Sequence, residues 1–347
     1  MFVALATAAA VLFGALLFGA LVLGLGVRFG GPRAPVQEMP LGTFFCGTAF
    51  ADLPQASPFT ARDGSSLAFR AYPPLGMRSG GSVLLLHGLG ASGQQLHRLA
   101  RALCSAGLSA YVLDIRGHGA SGPRGCAAHA GQLEDDIEDL ARHVRLPEAT
   151  TLLGYDAGAT LALRIALGPR RALFSDYLFL APLFDATCLH EGAYARIAST
   201  GSARMAALGL LRTLGLRAFD AAPCGRLRLG TEAAGFFTTH YRYGLWAALQ
   251  ALDAGAARVR TLSQPARVLV GEDDQLVDPG SLSAALAAGK GAVPVKQLPG
   301  IDHWNLVLDP VALGEVVFEV RLLAAARRAG RDGTVREAPA QDTLWDL

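Results

Sequence analysis

One stretch of this chain constrains its fold more than any other. Thr150-Thr151-Leu152-Leu153 is an apolar run, and Gly154-Tyr155-Asp156-Ala157-Gly158 is a Gly-x-Asp-x-Gly turn. An alanine- and leucine-rich helix is expected over 160–167. A buried strand that turns at once into a helix needs small residues around the corner, because a backbone bent so sharply has no room for side chains. Strand, tight turn and helix in this order also form the setting in which a reactive side chain is held out at the top of a sheet. Here the residue at the apex is Asp156, a carboxylate and not a hydroxyl.

The rest of the chain follows the same pattern. Residues 59–70 read as a hairpin, two alternating runs meeting at Asp63-Gly64, a pair suited to a tight turn with positive φ. Short apolar strands are expected at 82–86, 109–114, 177–180, 267–270 and 295–298, with helices at 95–106 and 131–144. Short continuous apolar strands alternating with helices predict an α/β fold, a mostly parallel sheet covered by helices on both faces. Residues 184–261 break the alternation. They are partly helical and carry Leu208, Leu210, Leu211, Phe236, Phe237, Tyr241, Tyr243 and Trp246. An insertion of that length in a compact domain reads as a lid. The expected organisation is an anchor (1–28), a Gly- and Pro-rich linker (29–58), the α/β domain (59–325) and a mobile tail (326–347). The acidic run Glu134-Asp135-Asp136, with Glu138 and Asp139, is expected to be a solvated helix face.

From Phe2 to Val27 no side chain is charged. A helix of that length rises about 39 Å, enough to cross a hydrocarbon core of ~30 Å. A cleaved leader would have a basic start and a shorter apolar stretch. The segment is therefore expected to be an uncleaved, single-pass anchor. Arg28 and Arg33 follow it, and the positive-inside rule then puts the body on the cytoplasmic side. Of the 347 residues, 51% are hydrophobic, and the formal net charge is only +2. That balance has no basic stripe and gives no case for nucleic acid. Cys46, Cys104, Cys126, Cys188 and Cys224 are odd in number and widely spaced, which speaks against a disulfide framework or a zinc site. No metal or organic cofactor is expected.

Three further segments complete a constellation around Asp156. His87-Gly88-Leu89-Gly90 follows a buried strand, where a glycine-containing turn can aim a backbone N–H into a site. The amides of Leu89 and Ala157 are the expected oxyanion donors. Gly271-Glu272-Asp273-Asp274 follows another strand, and Asp274 is the candidate to orient a histidine, with Asp273 and Asp185 as rivals. Gly300-Ile301-Asp302-His303-Trp304 follows the last strand, and His303 is the candidate base.

With these segments in hand, the chain from about Phe59 to Leu323 resembles the α/β-hydrolase superfamily. It is most similar to the branch of serine aminopeptidase S33-like, monoacylglycerol lipase and lysophospholipase-like hydrolases. The likeness rests on Leu84-Leu85-Leu86-His87-Gly88, on Asp114-Ile115-Arg116-Gly117-His118-Gly119-Ala120-Ser121-Gly122, on Gly131-Gln132-Leu133-Glu134-Asp135-Asp136, and on the three loops bearing residues 156, 274 and 303. The resemblance implies hydrolysis of a hydrophobic ester or lipid-like substrate by a serine. The chain departs from it where Tyr155-Asp156-Ala157 replaces the usual His-Ser-x.

An aspartate there leaves three readings. It can serve the esterase role in a triad with His303 and Asp274. It can attack a saturated carbon covalently, as in epoxide hydrolases and haloalkane dehalogenases of this fold. Ala157 stands where dehalogenases bring a tryptophan, and Tyr194, Tyr241 and Tyr243 lie where epoxide hydrolases keep lid tyrosines. Third, Asp156 can hold His303 as an ion-paired imidazolium, leaving a hydrolase-fold binding protein. A small hydrophobic substrate and the membrane are the expected partners.

Overall fold

The structure is a computed structural model describing residues 2–32, 50–76, 80–129, 131–184, 186–229, 236–250, 255–287 and 291–332. Much of the linker, Cys46, Asp185 and the tail beyond 332 lie outside the described residues. Eight strands form one sheet in the order β1-β2-β4-β3-β5-β6-β10-β11. These are β1 (Ser57–Thr60), β2 (Ser66–Tyr72), β3 (Ser82–Leu86), β4 (Ser109–Leu113), β5 (Thr150–Tyr155), β6 (Asp176–Leu180), β10 (Ala266–Asp273) and β11 (Val295–Asp302). The β1–β2 hairpin lies antiparallel at one edge, its turn made by Gly64 at φ 81°. From β4 to β11 every neighbouring pair is parallel.

The central strands are apolar along their whole length because both faces are covered. All five residues of β3 and all six of β5 are buried. Helices α2 (His97–Ser105) and α10 (Pro310–Asp332) pack together, and α3 (Gln132–His143) packs with α4 (Ala157–Leu167). The expected boundaries shift in instructive ways. Helix α4 begins at Ala157, directly behind the corner, and not at residue 160. Strands β10 and β11 run on past their apolar cores to pair Asp273 with Asp302 through a bulge. Helix α10 continues to Asp332, beyond the expected boundary at 325.

Two charged side chains tie the loops at the top of the sheet. Asp114 accepts hydrogen bonds from Gly93 N at 2.7 Å, Ala120 N at 3.0 Å and Arg70 Nη1 at 3.2 Å. Arg116 grips Asp136 through Nε (2.7 Å) and Nη2 (2.6 Å), and Asp63 through Nη1 (3.0 Å). The acidic face of α3 is therefore only partly as expected. Asp135, Glu138 and Asp139 meet Arg62 at the surface, but Asp136 is 2% exposed and neutralises a buried guanidinium. Among the described residues Cys104, Cys126, Cys188 and Cys224 are free thiols.

The inserted region is mixed where only helix was legible. It contains α5 (Ala193–Ile197), α6 (Ser202–Thr213) and a small antiparallel sheet of β7 (Ala198–Thr200), β8 (Pro223–Leu227) and β9 (His240–Arg242). Helix α7 (Tyr243–Gln250) and α8 (Gly255–Val259) lead back to the main sheet. Strands of three to five residues are too short to show an alternating pattern. At the N-terminus, α1 (Phe2–Phe29) is long and apolar enough to cross a membrane, judged by length and composition.

Candidate active site

The corner between β5 and α4 has the geometry its glycines foretold. Asp156 sits at φ 55°, ψ −120°, a conformation that strains a residue with a Cβ by roughly 1–3 kcal/mol. A Cβ on Gly158 would lie 2.3 Å from Leu86 O, and one on Gly154 would lie 2.3 Å from Gly158 O. Larger residues at either place would push the helix off the strand, so the strained apex is built in by packing around it.

The side chain of Asp156 is 4% exposed, and its two oxygens are treated differently. Oδ2 accepts the Leu89 amide at 2.7 Å, and the Ala157 amide also favours the charged form of the carboxyl. Oδ1 is buried with no hydrogen-bond partner. Burial pushes the carboxyl pKa up, against the pull of the His303 charge and the two amides. The Leu89 amide is aimed by its neighbours. His87 donates from Nδ1 to Gly88 O at 2.9 Å and accepts Ile115 N on Nε2 at 3.0 Å. Gly88 N donates to Gln95 Oε1 at 2.8 Å. Burial lowers the His87 pKa to about 4, so this ring is a neutral strut. A Cβ on Gly88 would stand 2.6 Å from Asp156 Oδ2, so the close approach of loop to carboxylate requires glycine.

His303 is fully buried, and its Nδ1 pairs with Asp274 Oδ2 at 2.8 Å. Asp274 Oδ1 is fixed by the amides of Leu276 (2.8 Å) and Val277 (2.7 Å). Of the rivals, Asp273 points to solvent and Asp185 is outside the described residues. Nδ1 therefore carries the proton toward Asp274, and Nε2 is buried with no hydrogen-bond partner. Burial works against a charged ring, but the charge of Asp274, its hydrogen bond and the charge of Asp156 prevail and raise the His303 pKa above 6.5. The same partner holds the Asp274 carboxyl below its usual range in spite of burial.

Sequence reasoning missed the groups that hold the histidine loop in place. Tyr155 OH donates to His303 O at 2.9 Å, and Gln275 Oε1 accepts His303 N at 3.2 Å. Tyr155 was legible only as a departure from the usual histidine before the apex. Of the lid tyrosines, Tyr241 is fully buried and its hydroxyl meets His118 Nε2 at 2.8 Å. His118 Nδ1 donates to Arg116 O, so Nε2 accepts and the tyrosine proton is directed into the floor. Tyr243 packs beside α6, with Arg212 above its ring. The side chain of Tyr194 is outside the described residues. The lid closes over the site at Gly90. Thr238 N donates to Gly90 O at 2.7 Å, and a Cβ on Gly90 would lie 2.2 Å from Leu227 Cδ1.

Among the described residues no group of three or more His, Cys, Asp or Glu is placed to hold a metal ion. What the site gathers is a carboxylate, an imidazole, an orienting carboxylate and two amides, set on four loops at the C-terminal edge of a parallel sheet.

That is the site architecture of an α/β-hydrolase. Comparison with known proteins agrees: residues 78–222 match the family described as Serine aminopeptidase, S33. A soluble variant of monoglyceride lipase from Saccharomyces cerevisiae, solved with a substrate analog, superposes with a TM-score of 0.58 at 18% identity. That likeness covers 80% of this chain and 96% of that one. An esterase from Exiguobacterium antarcticum gives 0.54 at 15% identity over 77% and 100% of the two chains. The Magnesium-chelatase 30 kDa subunit of Rhodobacter capsulatus is 38% identical over 95 residues, 26% of this chain. The chain spans about a third of the length of that curated relative, 32%. The chain has the α/β-hydrolase fold, and its residues 78–222 are similar to that family. The likeness to the lipase and the esterase is one of fold.

Proposed function

We propose that this protein is a membrane-anchored hydrolase that opens a hydrophobic, lipid-like substrate through Asp156, His303 and Asp274, with Asp156 attacking a saturated carbon. One observation carries the reading. Asp156 Oδ2 takes up the Leu89 amide of the expected hole, while Oδ1 and His303 Nε2 are buried without partners among the described residues. In a serine enzyme the hole waits for the substrate's carbonyl oxygen. Here the protein's own carboxylate occupies it, which disfavours attack on an acyl carbonyl and the mixed anhydride that would result. The same arrangement suits displacement. Oδ1 forms a bond to the substrate carbon, and the carbon–leaving-group bond breaks with its electron pair on the departing atom. The product is an alkyl ester whose carbonyl oxygen, Oδ2, already accepts the Leu89 amide.

The second step then has its parts in place. A water loses a proton to His303 Nε2 and adds to the Asp156 carboxyl carbon. Charge develops on Oδ2, where the amides of Leu89 and Ala157 stabilise it. Collapse releases the alkoxide, which takes the proton from His303 as an alcohol. Ester formation also switches the base on. It erases the negative charge on Asp156, one of the charges that raise the His303 pKa, and so makes the ring a readier base when water must be activated. Asp274 holds the ring in the tautomer required throughout. Substrates that fit are an epoxide, an alkyl halide, or an ester cleaved at its alkoxy carbon with carboxylate as leaving group. Single turnover in ¹⁸O water tests the reading. Label should appear in the Asp156 side chain, and turnover without that label defeats it.

The anchor reading draws support from the fold. Arg204 of α6 donates from Nε to Val27 O at 2.6 Å and from Nη2 to Arg28 O at 3.0 Å. A helix gripped this way by the folded domain suits a retained anchor better than a removable leader. Arg28 at its end favours a cytoplasmic body.

A second reading, a hydrolase-fold subunit without turnover, is favoured by the prior occupancy of the Leu89 amide. It also accords with the relative whose printed name is a subunit of a larger enzyme. Asp156→Ser separates the two. A gain of esterase activity indicates competent machinery around the apex. Inertness of both forms on ester, epoxide and halide panels favours the subunit.

A further inference from the structure

The lid carries an apolar surface that the hydrolase reading leaves unused. From Thr213 to Phe219 every residue is exposed, including Leu214 (64%), Leu216 (50%) and Phe219 (43%). Leu210, one turn earlier on α6, is 49% exposed. Such a cluster at the end of a helix costs solubility unless something covers it.

Its position relative to α1 indicates what that is. Arg204 N donates to Gly30 O at 3.2 Å, and the absent Cβ of Gly26 faces Ala207 Cβ at 3.2 Å. Rising numbers on α6 thus meet falling numbers on α1, and the two helices run antiparallel. The half-buried residues of α1 trace the contact further: Leu23, Gly26, Val27 and Gly30 recur at three- and four-residue spacing on one stripe. Helix α6 therefore runs back along the last two turns of α1, toward Leu23. Leu214 is seven residues beyond Ala207, about 10 Å further along. The uncharged stretch of α1 is about 39 Å long and a hydrocarbon core is ~30 Å thick, so roughly 9 Å of it stands above the core. That excess is the part flanked by α6, and the far end of α6 arrives at the edge of the acyl region.

Charge agrees with apolarity. Residues 184–229 hold six arginines against three acidic residues. Arg217 lies within the exposed turn, where its stem can bury beside Leu216 and its guanidinium can reach phosphate. We propose that the end of α6 and the turn after it, through Leu210, Leu214, Leu216 and Phe219, insert into the leaflet crossed by α1, with Arg217 among anionic headgroups. This rests on the anchored reading above. The inserted turn leads directly into β8, whose Leu227 covers Gly90 beside the buried carboxylate. A substrate dissolved in the leaflet is thereby presented to the lid and not to water.

The experiment uses the full chain in vesicles of phosphatidylcholine and phosphatidylglycerol, with lipids brominated at acyl positions about a third of the way down the chain. Leu214→Trp and Leu216→Trp are compared with wild type and with Leu75→Trp. Leu75 is equally exposed (66%) but follows β2 at the opposite end of the sheet from the lid. The lid tryptophans should be quenched at least threefold more than the Leu75→Trp probe, and less strongly when phosphatidylglycerol is omitted. Arg217→Glu in the Leu214→Trp background should cut the quenching severalfold. Equal quenching at positions 214, 216 and 75 overturns the proposal, since the patch then meets water or protein. No turnover enters this readout. An inactive protein can pass it and an active one can fail it, so its outcome is separable from that of the covalent mechanism.

Discussion

The floor of the site and its roof are built on opposite principles. The floor is a parallel sheet with fully buried central strands, its loops cross-tied by Asp114 and Arg116. The roof is a set of short helices and three short strands that reaches the floor through Gly90 and, among the described residues, keeps five large apolar side chains in the open. Reactive groups need placement to fractions of an ångström, which rigid packing supplies. Passage of a substrate needs a part that opens cheaply, which few buried contacts supply. Asp156 and His303 belong to the first part, and the second meets it at Gly90.

The comparison breaks most readily at the apex. Asp156→Ala should abolish turnover by about 10⁴-fold or more while unfolding stability stays near wild type, because the glycine-built corner survives and a strained, buried carboxylate is removed. An equal loss of stability and activity, read by urea titration beside kinetics, would make Asp156 structural. Arg116→Ala comes next. It strands Asp136 in the interior without a partner and should cost about 3–5 kcal/mol of global stability, as breaking a buried pair does. Arg212→Ala in the lid removes a comparable pair with Asp220, yet should change global unfolding by less than about 1 kcal/mol, because the roof opens independently of the sheet. Similar losses from the two arginines would show one cooperative unit where two are described.

Hydrogen exchange sharpens the same contrast. Amides of β3 and β5 should exchange only through global unfolding, and those of β7, β8 and β9 through cheaper local opening. The smallest effect concerns pH. His303 has its pKa raised in the fold, so its charged pairing with Asp274 stabilises the protein fully below about 6.5. That contribution is lost as pH rises through the folded value. His303→Gln should therefore destabilise the protein more at pH 6 than at pH 9. Hydrolysis of the covalent intermediate should also switch on at lower pH than that at which His303 titrates in the free enzyme, because the intermediate lacks the Asp156 charge. Pre-steady-state pH profiles that coincide would remove that charge from the account.

The sheet could be read from sequence because its signals are local. An all-apolar β3 or β5 means two covered faces, and glycines at 154 and 158 mean a corner with no space. The same locality exposed residues 156, 274 and 303 as the ends of three strands. The roof was less legible, since strands as short as β7 and β9 leave no periodicity. Asp136 was misplaced on a solvated face because helical spacing cannot reveal a guanidinium arriving from another loop. The support for His303 by Tyr155 and Gln275 was invisible for the same reason.

The chain's own order of residues determined an α/β architecture, a carboxylate at a strained apex and an apolar N-terminal helix, because propensity, burial and turn geometry act over a few residues. Tertiary structure alone decided which oxygen of Asp156 accepts the Leu89 amide and which stays free, which of two adjacent aspartates holds the imidazole, and that α6 runs back along α1. Those are contacts between segments far apart in the chain, and their angles are set by packing that no local pattern encodes.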